Sequence, residues 1–381
     1  MSDPAERASF EVRLRTERLR ALLRGSADGD GFVPFDRFME VALYGEGVGF
    51  YVREGSPFGR GGDYYTAAHA SPLFGRTIAE RIRSVAHALP EAVPFRVVEV
   101  GPGDGALAES VLKGLAEDSD LRGRVEYVLV ERSPPLASRA FERVAPAGNS
   151  AGVAVRVAGG VGADGPFRGV VLANEVLDAQ PTRRLVWTGD AWRETGVKLT
   201  EEGLVTADTP LVRGVPGPTL PVDLPPGTIF EVSPGAEALV REVADHLVSG
   251  LCLFLDYGMD ESELLAAHPS GTLSAVRRHR PVEDPLEDPG GTDLSVFVNF
   301  TRLRAVAVSA GLRELAFRRQ AEALGAWGFP RLFEEAVRTV GTAEEEVRLR
   351  LASKNLLFGF ERFSALELSP PESSERLALV T

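Results

Sequence analysis

Between residues 95 and 174 the chain repeats one pattern. Short runs of almost unbroken apolar residues, rich in Val, alternate with stretches whose apolar positions fall three and four apart. The first kind predicts strands over 95–100, 125–131, 153–157 and 169–173. The second predicts helices over 105–116 and 135–143. Strands that are apolar throughout and separated by helices mark an α/β domain, with a parallel sheet covered on both faces. In such a sheet ligands bind beyond the carboxyl ends of the strands, where the strand order reverses.

The flanks read differently. Upstream, Phe10 to Leu23 is apolar on one side. Pro34 to Tyr44 places Phe35, Phe38, Met39, Ala42 and Leu43 on one helical face. Seven glycines then fall within Gly45–Gly62, a loop long enough to imply function, ahead of a helix over 73–89. Downstream, 184–188 and 192–199 alternate like a hairpin around Gly189-Asp190, and the Pro/Gly-rich stretch 207–227 reads as a surface excursion. A strand (229–232), a helix (234–248) and a buried strand (250–257) follow. Next come a helix (261–267), a strand (272–278), a Pro-rich loop (281–291) and a helix (299–311). The strand 313–318 is expected to close the sheet antiparallel. The remainder reads as helical to 356 and as a polar tail to 381. The implied division is an N-terminal helical and glycine-rich segment (1–90), a sheet domain (91–320) with an insertion at about 183–230, and C-terminal helices with a tail (321–381).

Composition narrows the function. A net charge of −13, from 42 basic and 55 acidic residues, disfavours nucleic acid as the main partner. The single cysteine, Cys252, lies in a buried strand pattern, which leaves no disulfide framework. The five histidines are scattered without a ligand spacing, so no metal is expected; His69 and His279 read as loop residues. The N-terminus lacks an apolar signal core and no run approaches the length of a membrane span, so a cytoplasmic protein with no membrane partner is expected. The excess of Arg over Lys and the abundance of Ala suit a high-GC bacterial genome.

The chemistry gathers at the strand ends. Gly101, Gly103 and Ala106 fit a loose G-x-G-x-x-G/A turn, in which glycines let the backbone approach a ligand. Pro102 removes an N–H that a pyrophosphate would use, and Glu99 and Asp104 put carboxylates where phosphates would sit. A cationic or zwitterionic ligand such as S-adenosylmethionine (SAM) suits these charges better than a dinucleotide; a purely structural turn is the third reading. Glu131, 26 residues after Gly105, is placed to accept both ribose hydroxyls of an adenosine, which SAM and NAD share. Gly159 and Gly160 could flank the adenine. Asn174, Glu175 and Asp178 follow the strand at the reactive edge of the crevice. Their carboxylates could grip a guanidinium bidentately or serve as a general base, or Asn174 could simply cap a helix.

The motifs fall in a recognisable order: Phe35-Asp-Arg-Phe-Met39, Gly49-Phe-Tyr51, Phe58-Gly-x-x-Gly62-Asp63-x-x-Thr66 and Ser71-x-x-Phe74-Gly75. Then come Val98-Glu-Val-Gly-Pro-Gly103-x-Gly105-x-Leu-Ala108, Glu131-x-Ser133-Pro134, Ala173-Asn-Glu175 with Asp178-Ala179, Trp192-x-Glu194, Glu231-x-Ser233-Pro234, Asp256-Tyr-Gly258 and Asp293-Leu294. From about residue 32 to 330 the chain resembles the MidA-like class I SAM-dependent methyltransferases, relatives of a mitochondrial complex I assembly factor that methylates protein arginine. The resemblance implies a Rossmann-like sheet of seven mostly parallel strands with N-terminal, inserted and C-terminal additions. It implies SAM contacts at Glu99, Gly101, Pro102, Gly103, Gly105, Glu131, Arg132, Ser133, Gly160 and Asn174, with Gly62, Asp63, Tyr65 and Thr66 closing over the cofactor. Asn174, Glu175 and Asp178 would face the methyl group and its acceptor, a protein arginine in those relatives. The chain departs from the family pattern at Ala68, His69, Val176, Gln180, Phe297 and Asn299. A small-molecule acceptor, a non-catalytic assembly factor and an NAD(P) oxidoreductase are the competing readings, and a homodimer is left open.

Overall fold

The computed structural model describes residues 4–53, 71–211, 214–215 and 218–380, with side chains from residue 10 onward. The expected ligand residues Gly62, Asp63, Tyr65 and Thr66, with Ala68 and His69, lie outside the described residues. The chain opens with α1 (Pro4–Leu23), β1 (Phe32–Pro34), α2 (Phe35–Tyr44) and α3 (Pro72–Ala88). The βα alternation follows as β2 (Phe95–Val100), α4 (Ala106–Leu115), β3 (Val125–Val130), α5 (Pro134–Ala151), β4 (Ala154–Ala158) and β5 (Phe167–Asn174). Next are β6 (Arg183–Trp187), β7 (Trp192–Leu199), β8 (Leu204–Pro210), β9 (Ile229–Val232), α6 (Pro234–His246) and β10 (Leu247–Met259). Then come α7 (Glu261–Ala267), β11 (Ser274–Arg277), β12 (Arg280–Pro281), β13 (Asp293–Ser295), β14 (Val298–Asn299), α8 (Phe300–Ser309) and β15 (Arg313–Arg319). The chain ends with α9 (Gln320–Ala326), α10 (Phe329–Thr339), α11 (Ala343–Phe358), β16 (Phe363–Ser369) and α12 (Pro371–Ala378).

The main sheet runs β4-β3-β2-β5-β10-β16-β15, with β14 paired to the end of β10. β4 to β10 pair in parallel, and β16 is antiparallel to both of its neighbours. Pleating splits the apolar strands between two cores. Val97, Leu129, Val170, Leu172, Leu253 and Leu255 bury on one face; Val98, Val128, Val171, Ala173, Cys252 and Phe254 bury on the other. Strand order reverses between β2 and β5, so the crevice opens where Gly101 and Asn174 leave the sheet.

A second, antiparallel sheet, β1-β7-β6-β9 with β8 on β7, packs against α2. Its hairpin closes at Gly189-Asp190 with Trp187 opposite Trp192, as the alternation predicts. β8 departs from expectation: part of the excursion pairs with β7 along its whole length as an edge strand ending at Pro210. Proline is tolerated there because an edge leaves its missing N–H without consequence.

The tail also corrects the sequence reading. Residues 363–369 form a strand with every residue buried, inserted between β10 and β15. β15 therefore closes the sheet only through β16. The polar residues of β16 find partners inside the fold. Glu367 accepts from Arg81 at 2.6 Å and from the Trp327 indole at 2.8 Å, and the Ser364 hydroxyl donates to the Gly258 carbonyl at 2.9 Å. Likewise α5 runs past its expected end at 143, through Pro146, to a left-handed C-cap at Gly152.

Candidate active site

The turn after β2 is built on left-handed glycines: φ is 64° at Gly101, 58° at Gly103 and 82° at Gly105. A Cβ at Gly101 would stand 2.6 Å from Val176 Cγ2, so the loop and the segment after β5 meet only because this residue has none. The Gly101 N–H donates to the Val130 carbonyl at 2.8 Å, which ties the turn to β3. The Asp104 carboxylate accepts from Ala106 N–H at 3.2 Å and pairs with Arg143 at 2.7 Å, so a neighbouring guanidinium already answers its charge.

Beside this turn lies a cavity of about 450 Å³. Its cofactor-facing wall includes Glu99, Gly101, Pro102, Gly103, Asp104, Glu131, Arg132 and Leu136. Glu131 leaves β3 and accepts from Ser133 N–H at 2.9 Å and Gly103 N–H at 3.3 Å. Burial pushes its carboxyl up, and those N–H groups partly hold it down. Glu99, 2 % exposed, accepts from the Tyr127 hydroxyl at 2.5 Å; burial pushes its carboxyl up to about 7 against that bond. The Arg132 guanidinium pairs with Glu40 and lies 4.1 Å over the Tyr44 ring. Gly105 is the left-handed N-cap of α4 and lies behind the wall.

Two further expected ligand residues are placed elsewhere. Ser133 is buried off the wall, where its hydroxyl donates to the Tyr51 carbonyl at 2.6 Å and accepts from Leu136 N–H at 3.4 Å to cap α5. Gly160 does not line the cavity; a Cβ there would meet Glu242 Oε1 at 3.0 Å.

Across the cavity stand Asn174, Glu175 and Asp178. No helix begins at Asn174, so the capping reading falls. Its amide donates to Glu175 Oε1 at 3.2 Å, and its buried Oδ1 has no donor among the described residues. Glu175 takes φ 55°, a conformation costly for a residue with a Cβ. Burial, then the Asp256, Asp293 and Glu175 charges, push the Asp178 carboxyl well above the usual carboxylate range.

Chain-distant residues complete this wall. Tyr44 and Tyr51 stack with centroids 5.4 Å apart, and the Tyr51 hydroxyl donates to Asp293 Oδ1 at 2.9 Å. Tyr257 stacks on Phe297 at 5.9 Å. Burial, with Glu175, Asp178 and Asp256 nearby, pushes its phenol up to about 12. Arg362 lines the same side. Tyr51, Tyr257 and Asp293 stood in recognisable motifs without an assigned role, and Tyr44 stood only as the end of the helix 34–44. Arg362 carried no sequence signal. Among the residues that depart from the family pattern, Val176, Gln180 and Phe297 line the cavity. Asn299 instead caps α8, accepting from Arg302 N–H at 3.0 Å and donating to Glu261 at 2.9 Å.

The cavity fits SAM by its chemistry. The Glu131 carboxylate spends one backbone N–H on each oxygen and retains acceptor capacity for a ribose diol. Asn174 Oδ1 is an unmatched buried acceptor, suited to an ammonium. The wall carries six acidic side chains, Glu99, Asp104, Glu131, Glu175, Asp178 and Asp293; Arg143 answers Asp104 and Glu40 answers Arg132, and the remaining excess of acid over Arg362 favours a sulfonium.

Known proteins resemble this chain over most of its length. A sequence profile of S-adenosyl-L-methionine-dependent methyltransferases matches residues 74–318. The mitochondrial protein arginine methyltransferase NDUFAF7 homolog of Drosophila melanogaster is 26% identical over 344 residues, covering 82% of this chain and 75% of that protein. The mitochondrial protein arginine methyltransferase NDUFAF7 of Danio rerio is 27% identical over 305 residues, covering 73% and 69%. The crystal structure of a methyltransferase homologue from Burkholderia thailandensis, bound to S-adenosyl-homocysteine, superposes with a TM-score of 0.82 at 31% identity, covering 97% of this chain and 94% of that one.

Proposed function

The chain belongs to this family of S-adenosyl-L-methionine-dependent methyltransferases, and we propose that its methyl acceptor is a guanidinium, the arginine side chain of a protein. The observation that carries the proposal is the convergence of Glu175, Asp178 and Asp293 on one aromatic-walled cavity beside the glycine turn. A planar cation with paired N–H donors matches carboxylates bidentately. The arginine methyltransferase relatives support the same acceptor.

When bound, SAM supplies an electrophilic methyl on its sulfonium. The chain does the rest. Glu131 and the Gly101–Gly105 turn hold the adenosine end. Glu175 and Asp178 hold the guanidinium so that its charge gathers on the far nitrogens and the near nitrogen keeps its lone pair. The methylated nitrogen would lose one proton to a carboxylate on the wall, while the methyl–sulfur bond of SAM breaks with its electron pair staying on sulfur and S-adenosylhomocysteine leaves. Asp178, whose carboxyl is pushed up by its surroundings, is the better proton acceptor. Positioning of this kind supplies about 7–11 kcal/mol.

The test is incubation with [methyl-3H]SAM and a pool of synthetic peptides, each with one arginine or one lysine. Label on arginine alone is expected. Label on lysine alone, or on an added small amine and on neither peptide set, would refute the arginine assignment.

A further inference from the structure

The Asp256-Tyr257-Gly258 motif ends β10, and nothing in the cavity wall explains its aspartate. Asp256 is 0% exposed and does not line the cavity. Its carboxylate is spent on backbone. Oδ2 accepts from Val176 N–H at 3.0 Å and Leu177 N–H at 2.7 Å, and Oδ1 accepts from Tyr257 N–H at 2.8 Å. The preceding N–H, of Glu175, donates to the Leu255 carbonyl at 2.9 Å, one step beyond the last β5–β10 register pair, Leu255 with Asn174. Three successive amides after β5 are therefore fastened to the end of β10.

These amides belong to the turn that carries the acceptor-side groups. Glu175 sits there at φ 55°, and Val176 presses against Gly101. A side chain stays in such a conformation only where its surroundings over-determine it. A hydrophobic or uncharged residue at 256 could fill the space but could not accept two adjacent N–H groups on one oxygen with the strength of a carboxylate.

We infer that Asp256 is the positioning residue of this active site: its buried carboxylate straps the turn 175–177 and so aims Glu175 and Asp178 into the cavity. The role rests on the reading of Glu175 and Asp178 as acceptor-binding groups. It is separable from cofactor binding, because the glycine turn and Glu131 are held by β3, and Asn174 by its register with Leu255, not by Asp256.

The test uses the full chain with Asp256→Asn, a change of shape-neutral charge that sets an amide N–H₂ against a backbone N–H. Three readouts are taken: calorimetric titration with S-adenosylhomocysteine, methyl transfer to the arginine peptides at saturating SAM, and amide hydrogen exchange. Affinity for S-adenosylhomocysteine is expected to stay within about threefold, while kcat falls by about 10²-fold through misplacement of the reacting groups. Exchange at Val176 and Leu177 should quicken while the β5 amides keep their protection. Unchanged kcat would overturn the inference. A parallel collapse of nucleoside affinity would also overturn it, since it would make Asp256 a general fold residue. If the variant does not fold, the wild-type chain decides: Val176 and Leu177 amides must be protected like those of β5, and loop-like exchange there would overturn the strap. Full turnover in Glu175→Gln would refute the acceptor reading and leave the exchange result standing on its own.

Discussion

Substitution of Glu131 by Gln tests the nucleoside half of the site. The carboxylate meets Ser133 N–H at 2.9 Å with one oxygen and Gly103 N–H at 3.3 Å with the other. Both inner bonds therefore come from donors, and each oxygen of this cavity-lining residue keeps acceptor capacity for a ligand. A glutamine can satisfy only one of the two inner N–H groups, because its amide nitrogen is itself a donor. Keeping the shorter bond to Ser133 turns that nitrogen toward Gly103, and the ribose then faces one acceptor where there were two. The loss is about one charge-assisted hydrogen bond, about 1.5–3 kcal/mol. That corresponds to about 10- to 150-fold weaker binding. Calorimetric titration with S-adenosylhomocysteine at fixed pH measures it. Affinity unchanged within threefold, in a folded variant, would refute the ribose assignment.

Gly101→Ala should abolish binding of S-adenosylhomocysteine by the same titration. The new Cβ meets Val176 Cγ2 at 2.6 Å and φ is 64°, so turn and wall must part; full affinity would mean that the loop is not the ligand's seat. Glu99→Gln should stabilise the protein. Folding raises the Glu99 carboxyl from 4.5 to about 7. The wild type therefore carries no penalty below pH 4.5, and the cost grows to about 3 kcal/mol as pH rises through 7. Urea melts should show the variant gaining up to about that amount at pH 8 and almost nothing at pH 4; a gain independent of pH would contradict the assignment of the cost to the ionised form.

The parts of the fold that could be read in advance are those dictated by neighbours in sequence. β2, β3 and β5 declare themselves because residues such as Val97 and Val98 bury on opposite faces, so each run is apolar but for Arg96, Glu99, Glu126, Arg168 and the terminal Asn174. The glycine turn reads from its own residues, since left-handed φ is a local demand. β16 could not be read this way. Glu367 looks solvated until Arg81, 286 residues away, and Trp327 are brought to it. The acceptor wall is similar: Tyr51, Asp178, Asp293 and Arg362 come from four distant segments, and only the folded chain gathers them. Ser133 and Asn299 show the converse error. Each stood near a site in sequence, yet a helix N-terminus uses its side chain.

The central claim is that carboxylates on the acceptor wall, distinct from the nucleoside site, hold the group that is methylated. Glu175→Gln isolates it. The account predicts that transfer from [methyl-3H]SAM to arginine peptides falls by about 10²- to 10⁴-fold, with affinity for S-adenosylhomocysteine unchanged within about threefold. Transfer at the wild-type rate in that variant would contradict it.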